Sequence, residues 1–320
     1  MRMSSSPLDN LKNMFSSSSE ATSGFLSSAR QGMMGDNSIY IGLFLVVVIC
    51  LVVAYVLYYF ITTKLFMNIR QVISETKIPI ICTEKRRFDF EIKKTGNGER
   101  RSYTFWIYIH DMNRFSGSYK NVFNVQASTS ETNISQASPF VFLDKNDNRM
   151  YVRFSKMTSS SGAQVADTIT SYNQLSSETN LKTFMKQGIV IPYIPLQRWV
   201  HVAIVCNANS YKNYIYAYID GDLVSTTSHN EKDNYFGNDV NYKKDLQNMN
   251  INKGGTINIG GELNSNEGPG FSGLVSKIST FNYELNQRDV YNDYYWGPVG
   301  NLLAKLGLGM YGIRNPIYKL

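Results

Sequence analysis

The chain has 320 residues, with 32 Lys and Arg against 25 Asp and Glu and a formal net charge of +7. At 18% charged and 13% aromatic residues it is neither a disordered acidic tail nor a polybasic nucleic-acid binder, and no nucleic-acid partner is expected. Three cysteines, none in a Cys-x-x-Cys pair, exclude a disulfide scaffold and a thiolate zinc site.

Residues 1–38 form a Ser-rich segment. Ser6-Pro7 suits an N-cap followed by a first helical position, and Leu8, Leu11 and Phe15 fall on one helical face. A short surface helix and a mobile tail both fit. From Ile39 to Ile61 the chain carries no charge. As a helix this stretch covers roughly 35 Å, enough for a hydrocarbon core of about 30 Å. Tyr40 marks one end and Tyr58 and Tyr59 the other, the places where aromatic rings sit at headgroup level. The stretch is too long and starts too late for a cleaved signal peptide, so it reads as a single permanent anchor in a lipid bilayer. Arg30 precedes it, whereas Lys64, Arg70 and Lys77 follow, and this positive-inside bias places the C-terminal part on the cytosolic side.

In the segment 62–79, Leu65, Ile69, Val72 and Ile73 continue a helical stripe, which predicts a juxtamembrane helical stalk to about Thr76, ended by Pro79. Beyond residue 80 the period changes to two. Residues 102–109, 140–143, 149–155, 199–206, 214–219, 222–227, 256–261 and 271–281 read as strands, and Asp220-Gly221 as a hairpin turn. Many short strands without intervening helical periods predict an all-β antiparallel sandwich over 80–297. Two polar stretches, 156–188 and 228–253, read as long loops rather than core. One helix is expected over 286–296, capped by Asn286 and stopped by Gly297-Pro298.

An ordered motif set appears from residue 195 to 297: Trp199-Val200-His201-Val202-Ala203, Tyr218-Ile219-Asp220-Gly221, Ile259-Gly260-Gly261 and Phe271-Ser272-Gly273. With the early strand around Trp106, it resembles the laminin G-like, concanavalin A-like jelly-roll family over about 80–297. The resemblance implies two curved antiparallel sheets packed face to face. Trp199 is expected to fill the space between them, and Gly260, Gly261 and Gly273 to serve turns or bulges. The whole layout is also similar to membrane-anchored minor capsid proteins of nucleocytoplasmic large DNA viruses. That likeness implies other capsid or structural proteins as partners.

Catalysis finds no support in the residue pattern. The Glu-x-Asp-x-x-Glu arrangement of retaining glucanases, which sets two carboxylates about 5–5.5 Å apart, has no match. Glu231-Lys232-Asp233 begins it, but Phe236 stands where the second Glu belongs. His201 reads as a strand histidine bonded to a neighbour, and Cys50 and Cys206 as buried inert thiols. Cys82–Cys206 pairing is expected only if the domain is exported. No cofactor is expected; calcium is the one candidate ion, through the turn acids Asp144, Asp147, Asp220 and Asp222, which lack a clustered ligand pattern.

The tail 298–320 carries Lys305, Arg314 and Lys319 and no acid. Its Leu302, Leu306, Tyr311, Arg314 and Tyr318 suit an arm that docks on a neighbouring protein, or one that folds back on its own sandwich. The reading that follows is a non-enzymatic, single-pass membrane protein tying an internal virion membrane to the capsid. The alternative is a lectin-like glycan binder, for which Tyr172, Phe184, Tyr235, Phe236 and Tyr242 are the aromatic candidates in the loops.

Overall fold

The computed structural model describes residues 38–60, 69–73, 79–91, 99–127, 133–157, 169–209, 213–232, 235–236, 242–262 and 268–298. Ile61, most of the stalk, the Ser-rich segment and the arm residues Leu302, Leu306, Tyr311, Arg314 and Tyr318 lie outside them. Two units separate, residues 1–66 and residues 67–320.

The first unit contains helix α1 (Ser38–Phe60). Its window Gly42–Tyr59 has a mean hydropathy of 2.7 and none of it is buried, so the helix is long and apolar enough to cross a membrane. Tyr40, Tyr58 and Tyr59 are exposed near its ends.

The second unit runs β1 (Arg70–Val72), β2 (Ile80–Ile81), β3 (Arg86–Glu91), β4 (Arg100–Asp111), β5 (Lys120–Gln126), β6 (Phe140–Leu143), β7 (Met150–Arg153) and β8 (Ser155–Lys156). Then come α2 (Glu178–Phe184), β9 (Gly188–Ile191), β10 (Trp199–Asn207), β11 (Tyr214–Ile219), β12 (Asp222–Ser228), β13 (Met249–Asn250), β14 (Gly254–Ile259), β15 (Ser272–Phe281) and α3 (Gln287–Tyr295). One large sheet has the order β1-β15-β4-β10-β11-β12, with β2 also on β15; the second is β3-β14-β5-β6-β7-β9, and β13 and β8 form a small third sheet. All pairings are antiparallel.

Alternate residues fill the space between the sheets. Tyr103, Phe105, Ile107 and Ile109 of β4 and Val200, Val202, Ile204 and Cys206 of β10 all belong to this core. Phe105 meets Phe123 of the opposite sheet edge-on at 5.2 Å. Each such side chain contributes roughly 1.5–3 kcal/mol by leaving water. The fold is therefore an antiparallel β-sandwich, with one apolar helix ahead of it in the chain.

The Asp220-Gly221 turn has φ of 52° and 94°, the left-handed pair that a two-residue hairpin demands. Gly260 has φ of 66°, and a Cβ there would stand 2.6 Å from Glu84 O and 2.7 Å from Cys82 O. Gly273 sits at a bulge of β15, where a Cβ would strike Tyr108 O.

Three expectations need correction. The helical stripe through Val72 is not a helix there, because Arg70–Val72 pairs with Phe281–Ser279 at the edge of β15. Ile69 N also donates to Asn282 Oδ1 at 2.7 Å, so this apolar run satisfies main-chain groups that the edge strand would otherwise leave open. Trp199 lies not between the sheets but on the outer face of the first sheet. There it packs with Trp106 and Tyr294 beneath α3, out of phase with the inward Val200 and Val202.

The third correction concerns the polar stretches at 156–188 and 228–253. Their Tyr172, Leu175, Leu181, Phe184, Met185, Phe236 and Tyr242 join Phe140, Phe142 and Tyr151 in a second core on the outer face of the other sheet. Two buried cations fasten it. Arg153 donates to Ser135 O at 2.8 Å, Phe184 O at 3.2 Å and Gln187 Oε1 at 3.0 Å, with its guanidinium 4.0 Å above the Phe184 ring. Lys244 Nζ donates to Gly188 O at 2.7 Å and Met185 O at 2.9 Å.

Candidate functional site

The residues that most resemble catalytic machinery are a histidine and a carboxylate. β10 carries His201 and α3 carries Asp293, with His201 Nε2 3.1 Å from Asp293 Oδ2. Asn286 Oδ1 caps α3 by accepting from Asp289 N at 2.9 Å, which fixes the register that brings Asp293 over the sheet. Arg70 of β1 closes on the other oxygen, Oδ1, at 2.8 Å. Burial works against the Asp293 charge, but the hydrogen bond and field of His201 and the Arg70 guanidinium outweigh it and hold the carboxyl at about 2. An ionised carboxylate can only accept, so His201 Nε2 carries the proton and donates. His201 is fully buried, with Trp106 and Tyr294 rings 5.2 and 5.9 Å away. The pair lies beneath α3 and ties that helix and β1 to the sheet.

Three of the four turn acids have partners of their own. Asp220 Oδ1 accepts from His201 N at 2.9 Å and its Oδ2 pairs with Arg198 at 2.8 Å. Asp144 Oδ1 accepts from Asn146 N and Asp147 N, and its Oδ2 accepts from Tyr151 Oη at 2.6 Å. Asp147 pairs with Arg149 at 3.1 Å, and Asp222 heads β12. Among the described residues no group of three or more His, Cys, Asp and Glu is placed to hold a metal ion. Cys82 and Cys206 are both free and buried, and burial pushes both thiols up. Cys50 lies on the apolar helix α1, uncovered by the other described residues.

A concavity open to solvent lies elsewhere among the described residues, where the free edges of the two sheets, β9 and β12, approach each other. It has a volume of about 430 Å³. Val190, Pro192 and Val224 give it apolar walls, Ser225, Thr226 and Thr227 hydroxyls, and Glu231, Lys232 and Tyr235 its charged and aromatic groups. Several of these are held in place. Glu231 Oε2 accepts from Ser228 N at 2.7 Å and Ser228 Oγ at 2.9 Å. The Tyr235 phenol accepts from Arg149 Nη1, whose guanidinium lies 5.2 Å from the ring centre. Of the five loop aromatics singled out in the sequence, Tyr172, Phe184, Phe236 and Tyr242 are buried in the second core, and Tyr235 alone lines the cleft. Residues 190–192 and 224–227 carry no motif; only the approach of two sheet edges distant in sequence brings them together.

No family model matches the chain, and no curated protein matches it. Solved structures do. The botulinum neurotoxin serotype D binding domain aligns at 15% identity and a TM-score of 0.39, covering 72% of this chain and 47% of that one. A SAP-like pentraxin from Limulus polyphemus aligns at 13% identity and 0.35, covering 69% and 87%. The Ruminococcus gnavus IT-sialidase CBM40 bound to α2,3-sialyllactose aligns at 7% identity and 0.35, covering 71% and 98%. The chain spans less than half the length of the toxin binding domains it matches.

Proposed function

We propose that this is a non-enzymatic, single-pass membrane-anchored interaction protein, in which α1 crosses a bilayer and the sandwich engages a partner. The observation that carries the reading is the bare helix: Gly42–Tyr59 has a mean hydropathy of 2.7 with none of it buried. Exposing that many apolar side chains to water would cost on the order of 20 kcal/mol, more than a typical domain's net stability. The partner is a protein layer facing the cytosolic leaflet. The layout of anchor, jelly roll and basic apolar tail supports the finer form, a minor capsid protein tying an internal virion membrane to the shell. Against catalysis stand the helix-covered His201–Asp293 pair and turn acids committed to local hydrogen bonds. The test is alkaline carbonate extraction of membranes bearing the full chain or a chain lacking residues 38–60. The full chain should stay in the membrane pellet and the deleted one should not; extraction of both removes the anchor.

The cleft favours a second reading, a glycan-binding module. Hydroxyls, a fixed carboxylate, an ammonium and an aromatic ring around about 430 Å³ suit a small polyhydroxylated ligand. On a saccharide panel, Glu231→Ala combined with Thr226→Val should weaken any captured sugar at least tenfold, about 1.4 kcal/mol. Equal binding by this variant would dissociate the sugar from the cleft.

A further inference from the structure

The cleft between β9 and β12 carries a charge arrangement that the sandwich leaves unbalanced. Lys232, which lines it, forms an antiparallel bridge with Lys243. Hydrogen bonds from Asn230 N to Lys244 O at 3.0 Å and from Lys244 N to Glu231 O at 2.9 Å hold the two short segments together. Directly opposed residues send their side chains to one face, with Cβ atoms about 4.5–5.5 Å apart. Two ammoniums therefore stand side by side where the cleft opens, an arrangement that by itself destabilises a strand pair.

Other cations of this region are already engaged. Lys244 Nζ donates to Met185 O and Gly188 O, Lys156 pairs with Asp245, and Arg149 is shared by Asp147 and the Tyr235 phenol. Lys232 and Lys243 differ. Both are exposed, and among the described residues neither has an ion-pair or hydrogen-bond partner. Glu231, the one carboxylate lining the cleft, is turned back on Ser228 through its Oε2 and pairs with neither ammonium. Two positive charges against one carboxylate leave the cleft mouth cationic, and Ser225 and Thr226 set hydroxyls beside it. A ligand that answers both features carries an anionic group and several hydroxyls.

We propose that the cleft takes an acidic saccharide, with its carboxylate or sulfate on Lys232 and Lys243 and its ring hydroxyls on Ser225 and Thr226. The proposal rests on the glycan reading of the cleft and narrows it to charged sugars. A neutral sugar leaves both ammoniums unpaired, whereas an anionic one accepts charge-assisted hydrogen bonds from them and relieves their mutual repulsion.

The test titrates the full chain, in an uncharged detergent, with uronate-bearing and sulfate-bearing oligosaccharides, each beside its methyl-esterified or desulfated counterpart. Expected is binding of an acidic series, and which series binds tells carboxylate from sulfate. Removing the ligand's charge should weaken it roughly tenfold, and so should Lys232→Gln combined with Lys243→Gln. Equal binding of the charged and uncharged counterparts, or an unchanged affinity of the double variant, overturns the anion assignment and leaves the glycan reading standing. Acetate or sulfate alone binding as tightly as the sugar overturns the saccharide. Binding of no saccharide, acidic or neutral, overturns the proposal and the glycan reading together.

Discussion

Among the described carboxylates, Asp293 is held farthest below the ordinary range. Its folded carboxyl titrates at about 2, whereas an unfolded aspartate titrates near 3.9. The folded form is the stronger acid, so the stabilisation is fully present above about pH 4 and is lost as pH falls toward 2. The amount is on the order of 2 kcal/mol. Asp293→Asn should flatten that acid limb of a stability–pH curve measured by denaturant titration; an unchanged limb would mean other carboxylates dominate it. Backbone geometry sets a second expectation. Gly260→Ala forces a Cβ into a left-handed position against two carbonyl oxygens and should cost about 2–4 kcal/mol, read as a fall in midpoint denaturant concentration. Cys82 and Cys206 should resist a thiol reagent until the sandwich unfolds, because burial keeps both protonated. Rapid labelling of the native protein would contradict their placement.

At the scale of elements, the second core depends on its buried cations. Lys244→Met removes the donor to Met185 O and Gly188 O, leaving two buried carbonyls without it, and should cost about 2–4 kcal/mol. Hydrogen exchange should accelerate first in residues 172–187, ahead of β4 and β10; uniform acceleration would show one cooperative unit instead. This element also marks where the sequence is legible. β10 to β12 stand out because alternation meets an Asp-Gly turn, and α3 because Asn286 precedes a helical period. The second core is hidden because Leu175, Leu181 and Phe184 are isolated among polar neighbours and gain meaning only against Phe140 and Phe142 of a distant strand. Trp199 was misplaced because β10 is buried on both faces, so alternation there does not distinguish inside from outside. β1 reads as helix because a few apolar residues fit either period, and only the open edge of β15 decides between them.

For the whole molecule, the apolar helix is legible from composition alone, whereas the cleft is not, because sheet edges far apart in sequence build it. The sequon Asn133-Ile134-Ser135 is a poor reporter of topology in the folded chain. Asn133 Oδ1 accepts from Ser135 N at 2.8 Å, and Ser135 is buried. Trypsin treatment of sealed cytosol-facing-out vesicles avoids that difficulty, since Lys64 follows the apolar helix directly. The account predicts that the sandwich is shed into the supernatant without detergent, while a short fragment containing α1 stays in the membrane through carbonate washing. A sandwich that remains intact until detergent is added, or an α1 fragment that washes off, would contradict it.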